Sequence, residues 1–529
     1  MLKNKKNIFI STPIYYINSN LHLGHCYTTV LADIYNRFQK KILQNNTFFV
    51  TGCDVHGEKV FNSAKEALKK ENISTDDLLS LINEKQQHIN ELWSLLDIKT
   101  DYFISTHDEN HIKNVQKIFS FFYDNQNIYL GKYKGYYSEV NECYYSYKEI
   151  KEKKIDIHSL KKIEEQNYFL NLNKIKNKLE DVLKKDILIP EYRRTDVLNY
   201  FFKKNNLLDL SITRSKSNVH WGITNPIDNK SIIYVWFDAL INYLTALNYG
   251  EKNNELFKKF WSVNSFKVQF IGKEIIRFHS IYWPAILFSL NLPIPDKLVS
   301  HGWLIYKDEK MSKSKKNIVD PFLFLKTYDF EYLRYFFMYN GDLRKDFNFS
   351  EEEFKVIINS TLIDNFGNFI NRVLHLINKN FNGYISFEEI TNKQHYQQII
   401  NDYLKYLNGF EFSKGLNYLL NIIREQNKHL NETGPWKQIN IKNNREYLNY
   451  FKNYFIIINI IFFLLSPVFT KSYKLFLNHF TVNSKKAKTI LEGNLKEPTL
   501  DMFSNLSYFQ NKIFKIKLPI KIIFKKIDK

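Results

Sequence analysis

Cysteine is almost missing from this chain of 529 residues: only Cys26, Cys53 and Cys143 occur, odd in number and widely scattered. That excludes a disulfide framework and a four-cysteine zinc knuckle, and it points to a reducing compartment. The apolar core of a secretory leader is missing too, because MLKNKKNIFISTP passes directly into a strand-like run. No presequence is expected, and the location expected is the cytoplasm. Long apolar stretches are also lacking. The longest, YFIIINIIFFLL at 454–465, is interrupted by Asn459 and closed by Pro467, short of the roughly 20 residues a bilayer needs. It reads as a buried bundle helix. There is no internal repeat, and the Lys/Asn-rich stretches are short, as surface loops are.

What is there suffices for several domains, each with its own core: 44% of residues are hydrophobic and 16% aromatic. The formal charge is +20, from 75 Lys and Arg against 55 Asp and Glu. Such an excess suits a polyanion such as nucleic acid, and it equally suits a chain enriched in Lys, Asn, Ile and Phe by compositional bias.

Two textures follow one another along the chain. Up to about residue 320, the runs NIFIST, NTFFVTG, SIIYVWF, KVQFIG and DKLVSHGWL read as strands entering loops, alternating with helical patterns. A parallel α/β sheet is expected. Between about 116 and 220 the texture turns to Lys- and Tyr-rich hairpin and helix segments, such as GKYKGYYSEVNECYYSYKEI, as an insertion would. After about 350 the strands give way to long amphipathic helical patterns, broken at Pro435 and Pro467.

The stretch SNLHLGHCYTTV at 19–30 lies where the first strand gives way to a helix. In a nucleotide-binding sheet that junction is an anion site, because backbone N–H groups and the helix dipole point there. His22 and His25 would stand beside a triphosphate and donate to its oxygens, and Gly24 would let a purine approach the backbone. Alone, HLGH reads as readily as two incidental histidines. It is joined by DEKMSKSKKNIVDP, where Lys310, Lys313, Lys315 and Lys316 surround Met311, Ser312 and Ser314. A mobile loop of this kind can close on a polyphosphate, with Lys313 as a point charge and the hydroxyls as further donors.

HLGH and KMSKS together resemble the two signatures of class I aminoacyl-tRNA synthetases. STPIYYINSNLHLGHCYTTVLADIYNRF, VTGCDVHGEKV, SIIYVWFDALINYLTALNYG, FIGKEIIRFHSIYWPAIL and HGWLIYKDEKMSKSKKNIVDP narrow the resemblance to the methionyl-tRNA synthetases. The resemblance implies the fold class: a Rossmann-like parallel-sheet catalytic domain split by an α+β insertion, then an all-α anticodon-binding helical bundle. The boundaries expected are 1–115 and 220–320 for the catalytic halves, 116–219 for an insertion without zinc, 321–350 for a stem-contact linker and 351–529 for the bundle.

The resemblance also implies residue roles. His22, His25, Lys313 and Arg214 would be catalytic; Gly24, Glu274, Lys310, Met311, Ser312 and Ser314 would join them around ATP and its Mg2+. Asp54 would take the ammonium group of methionine. Trp236, Ala239, Leu240, Tyr243, Ile275 and His279 would line the side-chain pocket, with the Ile14 N–H and the Tyr243 hydroxyl facing the sulfur and Tyr16 as lid. Polarizable sulfur packs well against aromatic edges. A missing methylene supplies only about 1–3 kcal/mol of discrimination, so such a pocket needs polar contacts to sulfur in addition to volume. Asn368 and Arg372 of DNFGNFINR, four apart on one helix face, and Trp436 of ETGPWKQ would read the CAU anticodon of initiator and elongator tRNA(Met).

Departures from the family pattern are few. Ser138 and Asn141 stand where a first cysteine pair would fall and Cys143 is out of register, so no metal is expected. Glu274 replaces the usual Asp, Lys316 a glycine and Ser105 an arginine. The insertion is too short for the editing module of leucyl-, isoleucyl- and valyl-type enzymes. A cysteinyl enzyme would need a zinc site that three scattered cysteines do not supply, and a non-catalytic tRNA-binding paralogue would have no use for intact His22, His25, Asp54 and Lys313. Without an appended dimerisation domain, a monomer is expected.

Overall fold

The computed structural model describes residues 5–138, 143–145, 150–151, 155–204, 206–306, 309–310, 318–437, 445–484, 498–520 and 522–528. The chain forms two compact units: Met1–Thr29, Thr47–Trp93 and Lys99–His301 make the first, and Val30–Asn46, Ser94–Ile98 and Gly302–Lys529 the second.

The first unit is built on strands β1 (Asn7–Tyr16), β2 (Asn46–Asp54), β3 (Tyr102–Ser105), β4 (Ile128–Ser138), β5 (Cys143–Tyr145), β6 (Lys161–Leu170), β7 (Leu188–Ile189), β8 (Leu210–Ser211), β9 (Thr213–Ser215), β10 (Ser231–Ile233), β11 (Phe266–Gly272) and β12 (Lys297–His301). Six of them form one sheet in the order β3-β2-β1-β11-β12-β7, with parallel pairing at β2–β3, β1–β11, β11–β12 and β12–β7. Its central strands are buried on both faces, as strands covered by helices are: Ile8 to Thr12 of β1 are all buried. Phe9 meets Trp261 edge-on at 5.1 Å, and Trp261 meets Trp283 at 5.8 Å. The expected parallel sheet is present. SIIYVWF is a correction: β10 pairs antiparallel with β9 outside that sheet, and Val235–Thr245 is a helix. An apolar run does not by itself distinguish a buried strand from a buried helix, and here every residue from Phe237 to Thr245 is buried.

The stretch 128–211 carries the expected hairpin texture. β4 and β6 pair antiparallel from Ile128↔Leu170 to Tyr137↔Lys161, flanked by β5 and β8. β7, from the same part of the chain, adds an edge to the six-stranded sheet.

The second unit is helix-rich. Long helices run over Asn368–Phe381, Lys393–Asn408, Phe412–Thr433 and Arg445–Leu464. The last is long and apolar enough to cross a membrane, yet all of its residues from Tyr454 to Leu464 are buried in the protein. Asn459, the polar interruption, donates to the Phe455 carbonyl at 2.8 Å. Strands do not disappear after 350, as the helical patterning suggested. β16 (Tyr384–Phe387), β17 (Phe480–Ser484) and β18 (Lys512–Ile516) form a small sheet there, and before 350 the same unit holds another, of β13 (Leu304–Tyr306), β14 (Glu309–Lys310) and β15 (Phe347–Phe349). These strands have at most five residues, and β16 finds β18 more than a hundred residues later. Arg334, fully buried, donates to Asp33 at 2.7 Å and to the carbonyls of Pro467, Val468 and Leu96. A buried guanidinium requires that many acceptors.

Candidate functional site

In the six-stranded sheet β2 and β11 lie on opposite sides of β1, so the strand order reverses at β1. Ligands of open α/β sheets bind beyond the carboxyl ends of the strands at such a point. There β1 ends with Ile14 and Tyr16, β2 with Asp54, β3 with Ser105, β11 with Gly272 and β12 with His301.

HLGH opens the helix Leu23–Arg37 that follows β1. The two imidazoles lie 4.0 Å apart between centroids. His25 Nδ1 accepts from the His22 backbone N–H, and His22 Nδ1 from that of Gly24, both at 3.0 Å. A ring nitrogen that accepts carries no proton, so each neutral ring keeps its proton on Nε2, where it can donate to an anion. The N–H groups of His25 and Cys26 bond the His22 carbonyl. The backbone N–H groups of His22, Gly24, His25 and Cys26, expected to meet phosphate, are thus engaged locally. Tyr15 braces His25, meeting its ring at 5.3 Å while its hydroxyl bonds Thr29 at 2.5 Å. Thr28 bonds His301 at 2.7 Å.

Asp54 is buried, with the Thr106 hydroxyl 3.5 Å from Oδ1, and that hydroxyl accepts the Val55 N–H at 3.0 Å. Facing β1 is the helix Val235–Thr245. It brings together Trp236, stacked on Phe278 at 3.7 Å and 7°, buried Ala239 and Leu240, and Tyr243, whose hydroxyl lies 2.8 Å from His279 Nε2. His279 Nδ1 is 3.1 Å from the Ile275 carbonyl, which can only accept. The proton of His279 is therefore on Nδ1, and Tyr243 donates to Nε2. Burial pushes the His279 imidazole down to about 4, with the Ile275 hydrogen bond opposing, so it is neutral at pH 7. Burial pushes the Tyr243 phenol up. The Tyr243 proton is directed at His279, so that hydroxyl does not hold it for the expected contact with sulfur. The Glu274 carboxyl folds back against Gly272, and Lys59 stands 5.9 Å over the Tyr16 ring.

Arg214 is buried on β9. Its Nη1 donates to the Thr213 carbonyl at 2.7 Å and to Ser211, and its guanidinium lies 4.0 Å over the Tyr234 ring. It lines a cavity of about 230 Å³ with Glu58, Lys59, Tyr137, Lys161 and His220. Glu58 accepts from the His220 backbone at 2.9 Å. Sequence reasoning passed over Asp238, which bridges His56 and His111, and Trp221, whose indole N–H bonds the Val55 carbonyl at 2.7 Å. The available signal was a lone carboxylate within the largely apolar VWFDALINY.

Lys310 ends β14; Met311, Ser312, Lys313, Ser314, Lys315 and Lys316 lie outside the described residues. So do Asn141 and the Cys143 side chain, while Ser138 is buried. In the second unit Asn368 is exposed at the start of its helix. Arg372 donates to Asn431 at 2.7 Å and lies 5.3 Å over the ring of Trp436, itself 45% exposed.

The model of a family described as tRNA synthetases class I (M) matches residues 8–158 and 152–374. The methionine--tRNA ligase of Streptococcus pyogenes is 36% identical over 453 residues, 82% of this chain and 66% of that protein. The chain thus spans just under two thirds of that relative's length. The methionine--tRNA ligase of Halalkalibacterium halodurans is 35% identical over 472 residues, 85% of this chain and 69% of its own. Mycobacterium tuberculosis methionyl-tRNA synthetase in complex with methionyl-adenylate matches with a TM-score of 0.84 at 25% identity, over 98% of this chain and 99% of that one. On this evidence the chain belongs to the methionine family of class I tRNA synthetases.

Proposed function

We propose that the protein activates L-methionine with ATP and transfers it to the 3′-terminal adenosine of tRNA(Met), initiator and elongator. One observation carries this reading: at the carboxyl edge where the strand order reverses, the stacked Trp236 ring and the hydrogen-bonded Tyr243–His279 pair accompany a buried carboxylate, Asp54, and the paired imidazoles of His22 and His25. Those are the groups needed by an apolar side chain, an ammonium and a polyphosphate respectively.

In the first step the methionine carboxylate attacks the α-phosphorus of Mg-ATP, forming methionyl-adenylate and releasing pyrophosphate. Asp54 pairs with the ammonium and leaves the carboxylate to react. His22 and His25 donate from Nε2 to the phosphate oxygens as charge builds, joined by Lys313 and the KMSKS hydroxyls, with Glu274 toward the ribose. Arg214 supports this step as a fixed cation, held by its bonds to β8 and β9. In the second step the tRNA's terminal 2′-hydroxyl attacks the adenylate carbonyl and AMP leaves. The domain boundaries expected from the sequence, a zinc-free insertion, a monomer and a cytoplasmic location complete the reading.

Amino-acid-dependent ATP–pyrophosphate exchange tests it, with methionine against leucine, isoleucine, valine and cysteine, and Lys313→Ala as control. Exchange with methionine alone, lost in the variant, is expected. Exchange with another amino acid, or with none in folded protein, overturns the reading.

A further inference from the structure

Asp238 sits on the helix that carries Trp236, Ala239, Leu240 and Tyr243, and it is fully buried. Its Oδ2 lies 2.6 Å from His56 Nδ1 and its Oδ1 2.7 Å from His111 Nε2. Burial pushes this carboxyl up, but the charge and hydrogen bonds of the two imidazoles outweigh that and hold it below its ordinary range. An ionised carboxylate only accepts, so both rings must donate to it.

The two histidines lead to different places. His111 turns to Thr245, 3.0 Å from its Nδ1, at the far end of the same helix. His56 follows Asp54 by two residues and lies edge-on to Trp221 at 5.8 Å. Trp221 in turn bonds the carbonyl of Val55 and stacks on His107 at 5.3 Å. The segment just after Asp54 is therefore held at successive residues, by Trp221 at the Val55 carbonyl, by the Thr106 hydroxyl at the Val55 N–H and by Asp238 at the His56 ring.

We propose that Asp238 is a positioning residue for the substrate's ammonium group: through His56 it fixes the segment bearing Asp54, and through its own helix it sets that segment's distance from the side-chain pocket. The inference rests on the methionine-activating reading above. A freely chosen register would let an ammonium and a side chain be bound in turn; a shared buried carboxylate makes the two subsites one template. Positioning of this kind acts on the ground state and the transition state alike, so it appears in KM for the amino acid.

The test exploits the side of His56 that faces Asp238. In His56→Asn the amide N–H stands where Nδ1–H stood, whereas in His56→Gln it stands nearer the place of Nε2. Pyrophosphate exchange on the full chain, with methylthiobutanoate (methionine without its amino group) as competitive inhibitor, gives the readout. The Gln variant is expected to raise KM for methionine by about tenfold, with KM for ATP and Ki for methylthiobutanoate within about twofold of the parent, and the Asn variant to recover most of the loss. His111→Asn, on the far side, is expected to lower Tm and leave KM for methionine within about twofold. Equal losses for methionine and methylthiobutanoate, or a His111→Asn effect on KM as large as that of His56→Gln, overturn the proposal and leave a purely structural cluster. Should the parent exchange with another amino acid, the functional reading fails by itself, and the same comparison with that amino acid and its des-amino analogue still decides the role of Asp238.

Discussion

His279 shows how burial sets chemistry at a single residue. Its imidazole is pushed from 6.5 down to about 4. Between those values the unfolded chain binds a proton that the folded chain does not, so stability rises with pH across that window. The contribution is fully present above about pH 6.5 and lost as pH falls toward about 4, on the order of 3 kcal/mol in total. Urea midpoints between these pH values are expected to climb with pH in the parent and to climb less in His279→Gln; equal slopes would mean the ring is not held neutral. At this scale the sequence named the residue types well. Asp54, Tyr243 and His279 were named from the family motifs; Asp54 ends β2, and Tyr243 and His279 are hydrogen-bonded to each other in the same unit. What could not be read was orientation: that Nδ1 of His22 accepts from Gly24, or that the Tyr243 proton points at His279. Nor was Asp238's pairing visible, since its partners lie 182 and 127 residues away in the chain.

At the scale of elements, close approach of two strands fixes where Asp54 stands. Gly52 pairs with Ile104 across β2 and β3, and a Cβ at Gly52 would meet the Ile104 carbonyl oxygen at 2.1 Å. Backbone cannot yield as a side chain can, so Gly52→Ala must part the two strands. We expect a loss of about 2–4 kcal/mol in urea unfolding, and a rise in KM for methionine because Asp54 lies two residues on. A stable variant with unchanged KM would show that the pairing of β2 with β3 does not set the site. Elements were legible where several apolar residues run together, as in β1, β2, β11 and β12. They were lost where they are short or paired late. β3 has four residues with Tyr102 at 40% exposure, β7 has two, and β16 and β18 come together only in the folded second unit. SIIYVWF misled for another reason: it joins the three-residue strand Ser231–Ile233 almost directly to the helix Val235–Thr245, so one apolar run spans two elements and carries the period of neither.

For the whole molecule, the division into two units predicts that activation and tRNA recognition separate. The groups proposed for methionine lie in the first unit, whereas Asn368, Arg372 and Trp436 lie in the second. Arg372 lies over the Trp436 ring, and Asn431 holds its guanidinium from the side, so the two present a cation beside an aromatic face. Splayed bases stack on such surfaces, at about 1–3 kcal/mol per base, which is roughly 5- to 150-fold in affinity. Trp436→Ala and Arg372→Ala are therefore expected to lower kcat/KM for charging of tRNA(Met) within that range while pyrophosphate exchange, which needs no tRNA, keeps the parent rate. The charge of +20 adds a second handle. If it serves the polyanion, KM for tRNA rises steeply with salt and exchange does so far less, because counterion release accompanies only the nucleic-acid step. Loss of exchange in either variant would show that these residues act beyond tRNA recognition. Unchanged charging would remove the pair from the anticodon, and a flat salt dependence would return the excess charge to composition alone.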